Sequence, residues 1–407
     1  MTLAVLTQRI KAQAHRLGFD LVGVTDCAPP ASYPHYEAWL AAGYHAGMAY
    51  MARQRNRERR ADPRRILPEC QSIVVLAVRY FAPPPLPAAW GRRTSAGGSP
   101  SSGAAPPGEI RKKDNPTASL TGRVAAYAWG ADYHDVLVER LQALVAFIEE
   151  QVGYPVPHRL YTDTGPVLER DLAQRAGLGW IGKNAMLIHP RLGSYLLLAE
   201  ILLGLPLEAD APFPTDHCGS CTRCVEACPT QAIRPGRTVD ANRCLSYLTI
   251  EHRGPIPETL RPGMGDWVFG CDVCQQVCPW NRRAPQAGDA AFAPRPDVPW
   301  PDLLADLQLT PEAFSRKFRG SPVKRAKRRG YLRNIAVALG NLADPEAVPA
   351  LRQALQDPEP LVRGHAAWAL GRIGTPQARA ALEAARAVEH DPEVQAELRR
   401  ALAAHRE

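Results

Sequence analysis

The sequence predicts an α+β protein in three parts, and three observations carry that prediction. Helical and strand periodicities alternate over the first half of the chain, eight of the ten cysteines crowd into one short segment, and two similar helical units close the sequence. The expected parts are residues 1–210, 211–290 and 291–407. At 407 residues the chain is long enough for several domains and a substantial core, and 45% hydrophobic with 22% charged residues is an ordinary composition for a soluble protein. The start, MTLAVLTQRIKAQAHRLGFD, lacks the uninterrupted apolar run of a signal peptide, and no window offers the roughly 20 apolar residues of a membrane span. The expectation is a cytoplasmic protein with no membrane partner.

In chain order, Leu3, Leu6, Ile10, Ala14 and Leu17 recur at helical spacing, and LGFDLVGVT reads as a glycine turn into a buried strand. RQRNRERRADPRRILPE reads as an arginine-rich loop ahead of a second core strand, SIVVLAVRYF, which begins at Ser72. Residues 83–108 hold seven Pro, five Gly and four Ser, too few core-forming groups to offset ordering entropy, so 83–121 is expected to be a flexible insertion. The stretch GRVAAYAWGADYHDVLVERLQALVAFIEEQVG predicts a short strand and then a helix of about six turns. HRLYTDTGPVLERDLAQRAGLGWIGKN predicts a strand, a turn and a helix, with Pro166 in its first turn and Asp163 or Thr164 as its cap. NAMLIHPRLGSYLLLAEILL predicts two strands around a Pro-Arg-Leu-Gly turn.

The tail contains an internal repeat. LRNIAVALGNLADPEAVPAL (332–351) aligns with RGHAAWALGRIGTPQARAAL (363–382), matching at Ala336/Ala367, Leu339/Leu370, Gly340/Gly371 and Pro345/Pro376. The pattern is that of paired helices of the HEAT type. Two repeats are fewer than a free-standing solenoid needs, so they are expected to pack on what precedes them. The chain carries a net charge of +8, and it is concentrated: Arg316 to Arg333 holds nine basic residues and no acidic one. Such a field suits a polyanion; a solvated basic face is the plainer alternative.

The cysteines carry the chemistry. Cys218-x2-Cys221-x2-Cys224-x3-Cys228-Pro229 is the bacterial two-[4Fe–4S] spacing, and Cys271-x2-Cys274-x3-Cys278-Pro279 repeats its second half. Zinc usually takes two ligand pairs a dozen or more residues apart, and a disulfide framework does not suit a large cytoplasmic chain. One ligand of the second motif is missing, and Cys244 is the nearby candidate. Since the cysteine before proline crosses to the other cluster, Cys218, Cys221, Cys224 and Cys278 are assigned to one, and Cys228, Cys244, Cys271 and Cys274 to the other. Cys27 and Cys70 are expected as buried structural thiols. Two clusters in series move single electrons and need a terminal acceptor. No G-x-G-x-x-G supports a nicotinamide site, and DYH at 132–134 begins an Asp-x-His-x-x-Gly corrinoid motif that fails at Leu137.

Taken together, WGADYHDVL (129–137), DTGPVLERDLAQRAGLGWIGKN (163–184), GSYLLLAEILL (193–203), the order of the eight cysteines and the helical tail closely resemble the epoxyqueuosine reductase family, over nearly the full chain. The resemblance implies a nitroreductase-like cobalamin-binding domain, a ferredoxin-like two-[4Fe–4S] domain and C-terminal α-helical HEAT-like repeats. It implies base-off cobalamin without a histidine ligand, fed through the clusters by an external low-potential electron donor. The implied reaction is reduction of epoxyqueuosine to queuosine at the tRNA wobble position, the epoxide oxygen leaving as water.

Asp163 is then the implied proton donor, needing a pKa raised by burial against the corrin; its alternative role is a cap ahead of Pro166. Asp132, Tyr133 and His134 are runner-up acids. Cobalamin contacts carried over are Arg60, Ala125, Asp163, Leu187, His189, Ser194 and Leu198. The basic residues Lys324, Arg325, Lys327, Arg328, Arg329 and Arg333 would meet the phosphates of an anticodon stem-loop, and the chain is expected to act as a monomer. Two other classes fit part of the pattern: a reductive dehalogenase-like corrinoid enzyme, and a ferredoxin-type electron carrier with a HEAT-like docking module.

Overall fold

The computed structural model describes residues 2–81, 120–214 and 216–404. Apart from Leu120 and Thr121, the expected 83–121 insertion lies outside them. Contacts group the described residues into two compact units, the first comprising 2–81, 130–242 and 273–293, the second 120–129, 243–272 and 294–404. The cysteine-rich segment 211–290 is therefore not a unit of its own. Residues 243–272 belong to the second unit and the remainder to the first. The segment's apolar residues, such as Ile233, Leu245, Leu248, Trp267, Phe269 and Val273, are buried within the unit to which each part belongs.

The first unit is built on helices α1 (Leu3–Arg16), α2 (Gln54–Ala61), α3 (Tyr133–Val152) and α4 (Glu169–Arg175). Its sheet contains β1 (Leu21–Thr25), β2 (Ser72–Arg79), β3 (His158–Tyr161) and β4 (Leu196–Leu203). All pairings are antiparallel and the order is β1-β2-β4-β3, with Val75 and Tyr161 both opposite Glu200 on β4. Strand β2 is a continuous apolar run because both of its faces are covered. Ile73, Val75 and Ala77 pack with Leu172, Ala173 and Ala176 at α4. On the alternate positions Val74, Leu76 and Val78 are equally buried, and α1 and α3 contribute Ile10, Leu137, Leu141, Leu144 and Ile148 to the core.

Three local readings change. The arginine-rich stretch is not a loop: it contains α2, since Gln, Arg and Glu are good helix formers, and it buries Arg60 against the Tyr36 ring. Helix α4 starts at Glu169, so Pro166 precedes it and neither Asp163 nor Thr164 caps it. Cys27 and Cys70 are buried as expected, but they are neighbours, with Sγ atoms 2.6 Å apart.

In the second unit the repeat forms α5 (Lys327–Leu342), α6 (Val348–Ala354), α7 (Pro360–Ile373), α8 (Pro376–Val388) and α9 (Pro392–Ala404). The repeated Leu-Gly pair marks the close crossings of these helices. A methyl group at Gly340 would come within 2.9 Å of Ala369 Cα on α7, and one at Gly371 within 3.0 Å of Ala401 Cα on α9.

Helix α5 also holds the 243–272 segment, through polar side chains set in an apolar run. Asn334 Nδ2 donates to the carbonyls of Thr249 and Val268, and Asn341 Nδ2 to those of Arg261 and Gly265. Arg333, fully buried, donates to the carbonyls of Leu248, His252 and Gly254 at 2.6–2.8 Å. Burial lowers its pKa to about 9, which leaves it charged at neutral pH. Replacing Arg333 by Met would strand these carbonyls. The expected cost is about 3 kcal/mol of unfolding free energy, measurable by urea denaturation of the second-unit helices.

Candidate active site and cluster ligands

Asp163 sits in the turn between β3 and α4 with φ +59, a left-handed conformation that costs a non-glycine residue about 1 kcal/mol or more. Its side chain is 65% exposed, so the chain itself does not provide the burial expected to raise its pKa. Its neighbour is His134, whose Nε2 stands 3.5 Å from Asp163 Oδ2. The other ring nitrogen, Nδ1, is 2.7 Å from Asp132 Oδ1, and that same carboxylate caps α3 by accepting the His134 N–H. Held by Asp132 first and Asp163 second, the imidazolium is stabilised and its pKa rises to about 9. At neutral pH this group carries a proton beside Asp163.

Two further acids lie near this turn, and neither stood out in the sequence. Glu169 Oε1 accepts the Asp163 backbone N–H at 2.6 Å. Glu200 is wholly buried on β4 and its carboxylate oxygens have no hydrogen-bond partner among the described residues. The available signal was a single acid inside the apolar run LLLAEILL.

Of the cysteines, Cys218, Cys221, Cys224 and Cys278 all belong to the first unit and lie close enough to act on one another's charge. Burial, then Cys278, Cys218 and Cys221, push the Cys224 thiol up to about 12; such a group of thiols ionises together only with a metal centre to take the charge. Trp180, Trp280, Phe213 and His217 surround Cys218 and Cys278, with Trp180 and Trp280 edge to face at 5.0 Å. Trp180 Nε1 is buried without a partner among the described residues, an N–H suited to a cluster sulfide. Lys183 Nζ donates to the carbonyls of Gly219 and Cys221 and so fixes the loop. Of the other four, Cys228 and Cys274 are in the first unit and Cys244 and Cys271 in the second. Cys228 Sγ accepts the Ala232 N–H at 3.2 Å, while Gly270 and Asp272, flanking Cys271, are bonded to Thr249 Oγ1 and the Ala126 N–H.

The expected cobalamin contacts separate into two groups. Leu187 and Leu198 belong to the apolar cluster under α4, and Asn184 keeps a buried Nδ2 with no partner among the described residues. His189 Nδ1 accepts the N–H groups of Arg191 and Leu192, so the neutral ring carries its proton on Nε2; burial and then Arg191 lower its pKa. These residues fit a large apolar ring edged with amides. Arg60, Ala125 and Ser194 are committed within the protein. Arg60 donates to the carbonyls of Asn56 and Gly165, and Ser194 Oγ is bonded to both Gln275 and Asn281. Ala125 lies in the second unit, 1% exposed, its N–H bonded to the Phe269 carbonyl.

The basic run also separates. Lys324, Lys327 and Arg329 are exposed. Arg325 is paired with Glu251 and Arg328 with Asp357. Arg333 is inside the protein and cannot meet a phosphate.

The His134 cluster has a pH signature. Because its folded pKa lies above the unfolded value, its stabilisation is complete below about pH 6.5 and is lost as pH rises through about 9. With one third of the side chain exposed, the effect is about 1 kcal/mol. NMR titration of the imidazole should find this pKa, and Asp132→Asn should lower it more than Asp163→Asn does.

Comparison with known proteins joins these pieces. Residues 60–164 match the family described as epoxyqueuosine reductase QueG, DUF1730, residues 217–281 the 4Fe-4S double cluster binding domain, and 327–403 HEAT repeats. The chain is 38% identical to epoxyqueuosine reductase of Pseudomonas aeruginosa, over 91% of this chain and 95% of that one. It is also 38% identical to that of Escherichia coli K12, over 91% and 90%. A crystal structure of epoxyqueuosine reductase with an epoxyqueuosine-modified tRNA-Tyr stem loop superposes with a TM-score of 0.85 at 30% identity, covering all of both chains. The Bacillus subtilis enzyme, with its catalytic aspartate loop swung out of the active site, superposes at 0.82 and 30% identity, over 99% of this chain and all of that one. The chain belongs to the epoxyqueuosine reductase family.

Proposed function

We propose that this chain reduces epoxyqueuosine to queuosine at the tRNA wobble position with Asp163 as the proton donor and His134 as the group that resupplies it. Family membership fixes the reaction class, and the observation that carries the residue assignment is the pairing of an exposed Asp163 with a protonated His134. Removing the epoxide oxygen as water takes two electrons and two protons. When bound, cobalamin supplies low-valent cobalt as the reductant. The chain's own residues do the rest. Leu198 offers apolar surface backed by the buried Leu187, Asn184 Nδ2 and His189 Nε2 offer donors to amide side chains, and His189, with its proton on Nε2, is no metal ligand there. Asp163, ionised at rest beside the imidazolium, takes up the His134 proton and delivers it toward the leaving oxygen, and the pair draws the second proton from solvent.

Cys218, Cys221, Cys224 and Cys278 hold one [4Fe–4S] cluster and Cys228, Cys244, Cys271 and Cys274 the other. Electrons come from an external low-potential donor, and the enzyme acts as a cytoplasmic monomer. In a solved relative an epoxyqueuosine-modified stem loop is bound. Here Lys324, Lys327 and Arg329 contact the RNA phosphates, while the charges of Arg325 and Arg328 are met by Glu251 and Asp357.

Two experiments test this reading. Asp163→Asn should keep both clusters and bind cobalamin yet lose at least about 100-fold in turnover, the usual scale for a positioned acid; wild-type turnover would remove Asp163 as donor. Reversing Lys324, Lys327 and Arg329 to Glu should weaken stem-loop binding and flatten its dependence on salt, measured by fluorescence anisotropy.

A further inference from the structure

Beneath Asp163 lie two carboxyl groups that the reaction just described does not use. Asp163 keeps a left-handed backbone that must be held against its cost, and the bond from its N–H to Glu169 Oε1, at 2.6 Å, holds it from the first residue of α4. Below them on the central strand, opposite Tyr161, is Glu200, buried and without a hydrogen-bond partner among the described residues.

We propose that Glu169 is a positioning residue, a latch whose ionised carboxylate holds the Asp163 turn in its left-handed conformation and whose protonation releases it, over the neutral floor that Glu200 provides. The inference rests on the reading of Asp163 as proton donor. The charged groups facing Glu169 come from four places: Asp163 in the turn, Arg170 on its own helix, Arg60 on α2 and Glu200 on β4. Burial, followed by the Asp163 charge, raises Glu169 to about 7, while the Asp163 N–H, Arg170 and Arg60 pull the other way. Glu200 is raised well above the usual carboxylate range by burial, then by Glu169 and Asp163, and so keeps its proton. A charge there would repel Glu169 and oppose the latch. The sign follows: the latch is on above about pH 7, where Glu169 is ionised, and weakens below it. Loop movement and proton supply are thereby coupled through one acid.

The test reads the loop and not the turnover. Hydrogen–deuterium exchange of the peptide spanning 160–168 would be followed in the full-length, cluster-reconstituted protein, corrected for intrinsic rates, between about pH 6 and pH 8, in wild type, Glu169→Gln and Glu169→Leu. Wild-type protection should fall roughly tenfold as pH drops through 7, the loss of one charge-assisted bond. Glu169→Gln, whose amide oxygen still accepts the N–H, should show intermediate protection that does not change with pH. Glu169→Leu should lose protection throughout, with cluster absorption unchanged. Wild-type protection in the Leu variant, or the same pH response in wild type and Gln, would overturn the latch. The two readings fail separately. If Asp163→Asn turns over normally while exchange still answers to Glu169, the proton donor falls and the latch stands; if Asp163→Asn is inactive and exchange ignores Glu169, the latch alone falls.

Discussion

Buried backbone carbonyls in the cysteine-bearing loops must each find a donor, and much of this protein is arranged to meet that demand. The cysteine-bearing segment holds only short helices and strands, so carbonyls at their ends and in the connections between them lie beyond a continuous ladder. Side chains from neighbouring elements meet them instead. Lys183 serves the loop of Cys218 and Cys221, and Asn281 Nδ2 donates to the carbonyl of Gln275 beside Cys274. In the second unit Arg333, Asn334 and Asn341 project from one helix into the segment between Cys244 and Cys271. The first repeat helix is thus a splint for the segment between Cys244 and Cys271 as well as a member of the helical tail.

Charge at the Asp163 turn is managed by the same economy of neighbours. Asp132 and Asp163 keep His134 protonated, while burial keeps Glu200 neutral and brings Glu169 near the midpoint of its titration at neutral pH. One exposed acid is therefore flanked by a proton source on one side and a pH-sensitive backbone contact on the other. Such clustering of shifted groups is typical of sites that move protons.

Much of this was legible in the sequence because the signals are local. Cysteine spacing is set by the reach of the chain around a cluster, the strands at Leu21, Ser72 and Leu196 are continuous apolar runs, and the Leu-Gly repeat records where helices touch. What was misread depends on packing from distant parts of the chain. Arg333 looked like one more charge in a basic run, yet it is the one that turns inward, because carbonyls about eighty residues earlier await it. Arg60 and Ser194 matched family positions but spend their polar groups inside the fold. Glu200 and the Arg333–Asn334 pair share a signal that could have been used: an isolated polar residue within an apolar run has a buried partner or a buried task.

The whole arrangement serves one reaction, in which electrons pass through two clusters to remove the epoxide oxygen from a modified base in tRNA. The direct measurement is nucleoside mass spectrometry of an epoxyqueuosine-bearing anticodon stem-loop after incubation with the cluster-reconstituted chain, cobalamin and a low-potential reductant. Conversion to a nucleoside lighter by one oxygen, dependent on every component, is the expected result. An unchanged nucleoside, with the RNA bound and both clusters reduced, would contradict it.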